Sequence, residues 1–307
     1  MDANRPAESP RCAALADALG EPLAGTAATA RSWLAIEQPG PWGRDALSAS
    51  HLDDGVAREL AALSAGTGVR IVLIRRPGSH PDRHRPVPRT VYLAHTMPGR
   101  TWLERTSVAD PKELLDLDFA RAGAGEPGLL GTPVSDPLLL VCTNGRRDVC
   151  CALLGRPVAA ALAATHGDRV WECTHIGGHR FAPTAVLLPT GYSYGRLTET
   201  SATRLLADGP VAADCRGRST WPAAGQVAEL AVRSEIGVAD PDALTVSGVD
   251  VPVDGGWLVQ VSHVDGRSWR VAVAEREVAA ARAASCTAVP TPAVALEALS
   301  VRLSVRP

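Results

Sequence analysis

Three of the chain's seven cysteines fall within ten positions, "CTNGRRDVCC", Cys142 to Cys151, and "ECTHIGGHRF" follows with His175 and His179. With Cys151 counted, the pattern is C-x8-C, 23 intervening residues, then H-x3-H. Two thiolates and two imidazoles are the right donors for one tetrahedral iron or zinc centre, or for a cluster with four terminal ligands. Thiol chemistry at the vicinal pair Cys150/Cys151 is the alternative. It is weakened because no C-x-x-C is present and adjacent cysteines pair only with strain. Spacing alone does not separate zinc from iron–sulfur. The closely spaced cysteine pair of a zinc finger is missing, and Rieske centres interleave cysteine with histidine where this chain puts both cysteines first.

These residues need elements that bring them together. Cys142 ends "DPLLLVCTN", a near-continuous apolar run of the kind a strand buried on both faces shows. Cys151 begins a helical segment, in which Pro157 is read as starting the longer part. The histidines occupy the loop after the next strand, "DRVWECTH". In a doubly wound sheet these places lie near the carboxyl ends of neighbouring strands. Gly177 and Gly178, without Cβ atoms, let backbone N–H groups approach an anionic ligand. Arg146, Arg147 and the first-turn N–H groups near Cys151 would favour negative charge there. Cys173 is read as core, with a place beside the site as the alternative, and Cys12, Cys215 and Cys286 as core.

The surrounding pattern occurs twice. "SWLAIEQ", the helical "HLDDGVARELAALSAG", "VRIVLIRR", a hairpin through Pro98-Gly99 and the helix "DPKELLDLDFARAG", capped by Asp110, form a βαββα order. "DPLLLVCTN", "NGRRDVCCALLGRPVAAALAATHG", "DRVWECTH", a hairpin through Thr190-Gly191 and "ETSATRLLADG" repeat it. The expected fold class is therefore α/β, two βαββα units from an internal duplication plus a small α+β extension. The units are 1–125, without site residues, 133–213, with them, and 214–307. Between the first two lies a G-x-G-x-x-G at Gly123, Gly125 and Gly128, read as linker because no strand precedes it and no helix opens within it.

Apolar residues are 46%, charged residues 21% and the formal charge is −2, an ordinary globular balance. It gives no basic excess for nucleic acid or an anionic membrane surface. No apolar run approaches the ~20 residues of a membrane helix. The N-terminal residues lack a charged start followed by an apolar core, so a cytoplasmic location is expected. An odd cysteine count in a reducing compartment favours metal or redox roles over a disulfide framework. A second H-x3-H, His80 and His84, is read as solvated loop, and Arg75, Arg76, Arg83, Arg85 and Arg89 around it as a docking patch for an acidic partner.

"LLLVCTNGRRDVCCALLGRPVAAAL" and "VWECTHIGGHRFAPTAVLLPTGYSYGRL" resemble the sucrase/ferredoxin-like family, with weaker likeness in "EPLAGTAATARSWLAIEQPGPWGRDAL", "VLIRRPG", "GRTWLE" and "CRGRSTWPAAGQVAE". The resemblance implies a thioredoxin-like ferredoxin with one [2Fe–2S] cluster on Cys142, Cys151, His175 and His179. It also implies electron transfer with a donor or acceptor protein, a carrier rather than a catalyst with its own substrate. Where the family commonly has histidine, two positions after the first cysteine, this chain has Asn144. Two imidazoles in place of thiolates should raise the potential above the all-cysteine range and make it fall as pH rises. The rival functions are a zinc-stabilised interaction module and a thiol-dependent oxidoreductase using Cys150/Cys151. Nothing identifies the paired carboxylates of a glycosidase.

Overall fold

The computed structural model describes residues 11–78, 88–208, 214–251 and 255–304. In chain order the elements are α1 (Cys12–Ala18), β1 (Ser32–Glu37), α2 (Asp54–Ser64), β2 (Val69–Arg75), β3 (Arg89–His95), β4 (Trp102–Val108), α3 (Phe119–Ala124) and β5 (Thr132–Pro133). Then come β6 (Leu138–Cys142), α4 (Val149–His166), β7 (Val170–Cys173), β8 (Ala185–Leu188), β9 (Tyr192–Tyr194) and α5 (Glu199–Asp208). β10 (Cys215–Arg218), α6 (Ala223–Ile236), β11 (Leu244–Asp250), β12 (Trp257–His263), β13 (Ser268–Arg282) and β14 (Thr291–Leu303) complete the chain.

Ten strands form one mixed sheet in the order β10-β9-β8-β6-β7-β2-β1-β3-β4-β5. Each half runs strand–helix–strand–strand–strand, with its first two strands parallel and its third pairing antiparallel on the other side of the first. The halves meet where β2 and β7 pair antiparallel, Ile74 opposite Cys173 and Arg75 opposite Glu172. Alternation along β1 divides its side chains between two cores. Leu34 and Ile36 pack with Val56, Ala57 and Leu60 of α2. Trp33 and Ala35 join a cluster that crosses both halves through Tyr92, Leu140, Trp171, Cys142 and Cys151. The chemistry-bearing cysteines thus sit in the core that unites the halves.

The seam carries a buried polar network. Arg75 donates from Nε to Glu172 Oε2 at 2.8 Å and from Nη1 to the Gly40 carbonyl at 3.0 Å, and lies 4.0 Å over the Trp42 ring. Thr143 Oγ1 donates to the same carboxylate oxygen at 2.8 Å. With these hydrogen bonds made, the desolvation cost of the pair is offset and the register of β2 on β7 is specified.

Four sequence expectations change. Pro157 lies inside α4 and does not begin a second segment; the helix is continuous from Val149 to His166. By length and composition alone, Val149–Arg169 could cross a membrane. The sequence reading missed this because Gly155, Arg156 and Pro157 interrupt the apolar run; in the fold α4 packs on β6 and β7. The helix capped by Asp110 is a 3-10 turn, Pro111–Asp116, followed by the separate α3 with its own cap, Asp118. Among the described residues, three arginines of the expected patch are engaged within the chain: Arg75 as above, Arg76 with Asp168 and Trp171, and Arg89 with Gln38. Arg83, Arg85, His80 and His84 lie outside the described residues.

The extension contributes β10 to the large sheet through β9. Its remaining strands form an antiparallel four-stranded sheet, β11-β12-β13-β14, covered by α6 through Ala224, Val227, Ala228 and Val232.

One buried histidine makes stability pH-dependent. His95 is almost fully buried beside Ser32 Oγ, 2.9 Å from Nδ1, and burial, aided by Arg100, Arg31 and Arg218, pushes its pKa down to about 4. Between its ordinary 6.5 and about 4 the unfolded chain binds a proton that the fold refuses, so stability falls as pH drops through that window. His95→Gln should flatten this acid limb in denaturant titrations between pH 7 and about 4.

Candidate functional site

β6 delivers Cys142 at its last residue, fully buried. α4 starts six residues later with Asp148 as N-cap, its side chain accepting from the Cys150 N–H at 2.9 Å. The cap places Cys151 in the first turn, directed back to the strand end. Gly155 makes the approach possible, since a Cβ there would lie 2.3 Å from the Cys142 carbonyl oxygen. Gly155→Ala is therefore expected to push α4 off β6, costing about 1–3 kcal/mol and weakening metal retention, read by thermal melting and metal analysis.

The donor atoms of Cys142, Cys151 and His175 all lie within 4.8 Å of one another. His179 lies beyond His175, the ring centroids 5.2 Å apart. The Nδ1 atoms of both rings are buried with no hydrogen-bond partner. A buried, unpaired polar atom costs about 1–3 kcal/mol, so two in neighbouring rings are a place where a bound group would be favoured. The Cys142 thiol is pushed well below its ordinary value, chiefly because the Cys151 S–H donates to it, with His175 and the Asn144 N–H contributing against the cost of burial. Cys151 is raised in turn, through Cys142 and burial. The pair holds one proton between two sulfurs, a state that a cation displaces. Burial depresses the pKa of His179 despite the nearby Asp148.

The sucrase/ferredoxin-like family profile matches residues 23–213, more than half of the chain. The chain belongs to the sucrase/ferredoxin-like family. No curated protein and no solved structure matches it.

In this family member, two arginines that the sequence did not single out act on the Cys142 thiol. Arg146 is exposed and Arg147 half-buried, the latter lining a pocket of about 260 Å³ with Arg44, Asp45, Asn144 and His175. The arginines whose charge reaches Cys142 are Arg70 and Arg216. Arg70 Nη2 donates to the His175 carbonyl at 3.2 Å. Arg216, fully buried, donates to the Gly177 carbonyl at 3.1 Å, to Thr26 Oγ1 at 3.0 Å and to the Thr26 carbonyl. Burial pushes its pKa down to about 10. Gly177 and Gly178 both have positive φ, 85° and 70°, and a Cβ on Gly178 would strike the Arg216 guanidinium at 2.3 Å. The glycine pair thus makes room for an arginine as well as for the left-handed turn. Arg70 was visible only as a lone charge inside the apolar strand "VRIVLIRR", and Arg216 as part of "CRGRSTW" with no assignable role.

Asn144, at the position where the family commonly has histidine, is buried and donates to the Gly43 carbonyl at 3.2 Å, tying the two corresponding loops together. Cys173 is fully buried in the shared core, and Cys215 in the core under α4 and α5. Cys150 faces away from Cys142 and approaches Cys12 and Cys286. Cys12 packs as expected in a small buried cluster with Ala13, Cys150 and Ala182, its sulfur facing other thiols, whereas the expectation that Cys286 packs in the core is corrected, because it is exposed.

Proposed function

We propose that the protein is an intracellular one-electron carrier with one [2Fe–2S] cluster on Cys142, Cys151, His175 and His179, exchanging electrons with a separate redox protein. The observation that carries this reading is the convergence of the buried Cys142 and Cys151 thiols with His175, with the His179 ring 5.2 Å from that of His175 and both imidazoles having an Nδ1 without a partner. These donors fit the group in number and type. When bound, the cluster supplies a store for a single electron.

The chain's residues set the conditions for that electron. Neutral imidazoles leave the site less negative than four thiolates would, so added charge costs less electrostatic work. Arg216 and Arg70 favour the more negative state from within the protein, where screening is weak. β6, α4 and the seam hold the donors on rigid elements, which limits reorganisation. The pocket beside His175, lined by Arg44 and Arg147, offers a route by which an acidic surface of a partner approaches. The two halves, 1–125 and 133–213, are proposed as thioredoxin-like copies of one duplicated unit, supported by their common strand order, with 214–307 as an added extension.

Absorption and electron paramagnetic resonance of the anaerobically purified, reduced protein test the reading. A coloured, iron-containing protein with a reduced-state signal is expected. A colourless, iron-free protein whose zinc is lost in Cys142→Ser would replace it with the zinc-stabilised module. The thiol-oxidoreductase alternative is disfavoured because Cys150 and Cys151 enter different side-chain groups; activity surviving iron chelation but not alkylation would restore it. In protein-film voltammetry the potential should fall as pH rises, since a histidine holding the cluster would lose its imidazole proton more readily in the oxidised state.

A further inference from the structure

Behind the first turn of α4 lies a second set of metal-type donors. The sulfurs of Cys12, Cys150 and Cys286 form a triangle with edges of 3.4, 3.5 and 3.7 Å, and both Asp148 carboxylate oxygens lie 3.7 Å from Cys12 Sγ. All four donor groups fall within 4.8 Å of one another. Cys12, Cys150 and Asp148 are buried, while Cys286 is exposed. A tetrahedral ion with metal–sulfur bonds of ~2.3 Å requires ligand–ligand edges of about 3.5–3.8 Å. The observed spacing is close to that, and far from the ~2.05 Å of a disulfide bond.

We propose that Cys12, Cys150, Cys286 and Asp148 form a second metal site, for a single zinc-class divalent cation. Three thiolates and one carboxylate supply four donors, the closed set of a structural rather than an open catalytic site. Soft sulfur donors select against magnesium and calcium. The surrounding backbone is arranged for it: the Cys150 and Cys286 N–H groups donate to the two Asp148 oxygens at 2.9 and 2.8 Å, orienting the carboxylate and leaving lone pairs free. The ligands come from α1, from the start of α4 and from the segment between β13 and β14, positions more than 130 residues apart. A bound ion therefore clips both ends of the chain onto the turn that carries Cys151. It also adjoins the other site, because His179 Nε2 lies 4.0 Å from Asp148 and its ring bonds to Ala284, two residues from Cys286.

Zinc and iron are measured by mass spectrometry of the protein as purified, alongside Cys286→Ser and Cys142→Ser. About one zinc per chain is expected, reduced to background in Cys286→Ser with iron unchanged. Cys142→Ser should lose iron and keep the zinc, which separates this site from the proposed cluster. Cys286 is exposed, so its replacement does not disturb a core. Protein produced with cobalt in place of zinc provides a second measurement without mutation, showing sulfur-to-cobalt charge transfer and tetrahedral d–d bands. A wild-type protein without zinc and without these bands overturns the proposal. So does zinc that survives Cys286→Ser, or a Cys150–Cys286 disulfide in protein purified without air.

Discussion

On the proposed ligand set, serine in place of Cys151 should abolish iron binding, whereas serine in place of the adjacent Cys150 should not. The two thiols are neighbours in sequence but point into different groups, Cys151 toward Cys142 and His175, Cys150 toward Cys12 and Cys286. Successive positions on a helix lie about 100° apart, so one side chain turned back to the strand end leaves the next facing elsewhere. A serine hydroxyl does not ionise in this setting and supplies no thiolate. Iron affinity in Cys151→Ser should fall by more than the roughly 10–100-fold that loss of an outer partner costs, leaving iron content at background. Cys150→Ser should keep the absorption spectrum and the reduced-state resonance while losing the second metal. The opposite pattern, iron lost only in Cys150→Ser, would move the proposed ligand by one residue and reject the present assignment.

Arg216→Leu is expected to act on both stability and potential. The guanidinium is fully buried, and its removal leaves the Gly177 and Thr26 carbonyls without their donor and a void beside Gly178. Orphaned buried acceptors cost about 1–3 kcal/mol each, so destabilisation on the order of 3 kcal/mol should appear in urea denaturation. The same change removes a positive charge that acts on Cys142. Reduction adds negative charge to the site, so the midpoint potential should drop, on the order of tens of millivolts. Arg146→Leu serves as the control. That side chain is exposed, and solvent screening should leave both quantities nearly unchanged. Equal potentials in Arg216→Leu and wild type would show that the buried arginine is structural alone.

Much of the architecture was legible because it rests on local pattern. The strands around Leu34, Leu73 and Leu140, the cap at Asp110 and the hairpins follow from alternation, capping and turn residues, which act over a few positions. The candidate ligands stand out in the sequence by type and spacing, and the structure groups three of the four, Cys142, Cys151 and His175. Pro157 misled because proline is a local breaker, yet the helix is held through it by the Asp148 cap and by packing on β6 and β7. α1 carries a weak pattern and forms against the turn at His179–Phe181, a partner distant in sequence.

The sequence by itself thus determined the donor types, their spacing and the repeated order of elements, because covalent neighbours and periodicity are written in it. Tertiary structure decided which cysteine of the vicinal pair faces Cys142, because that depends on how closely Gly155 lets α4 approach β6. It also decided that Arg216, not Arg146, sits against the glycine turn, and that Cys12 and Cys286 meet Cys150. Those contacts join residues far apart in the chain, and only the folded packing brings them within reach.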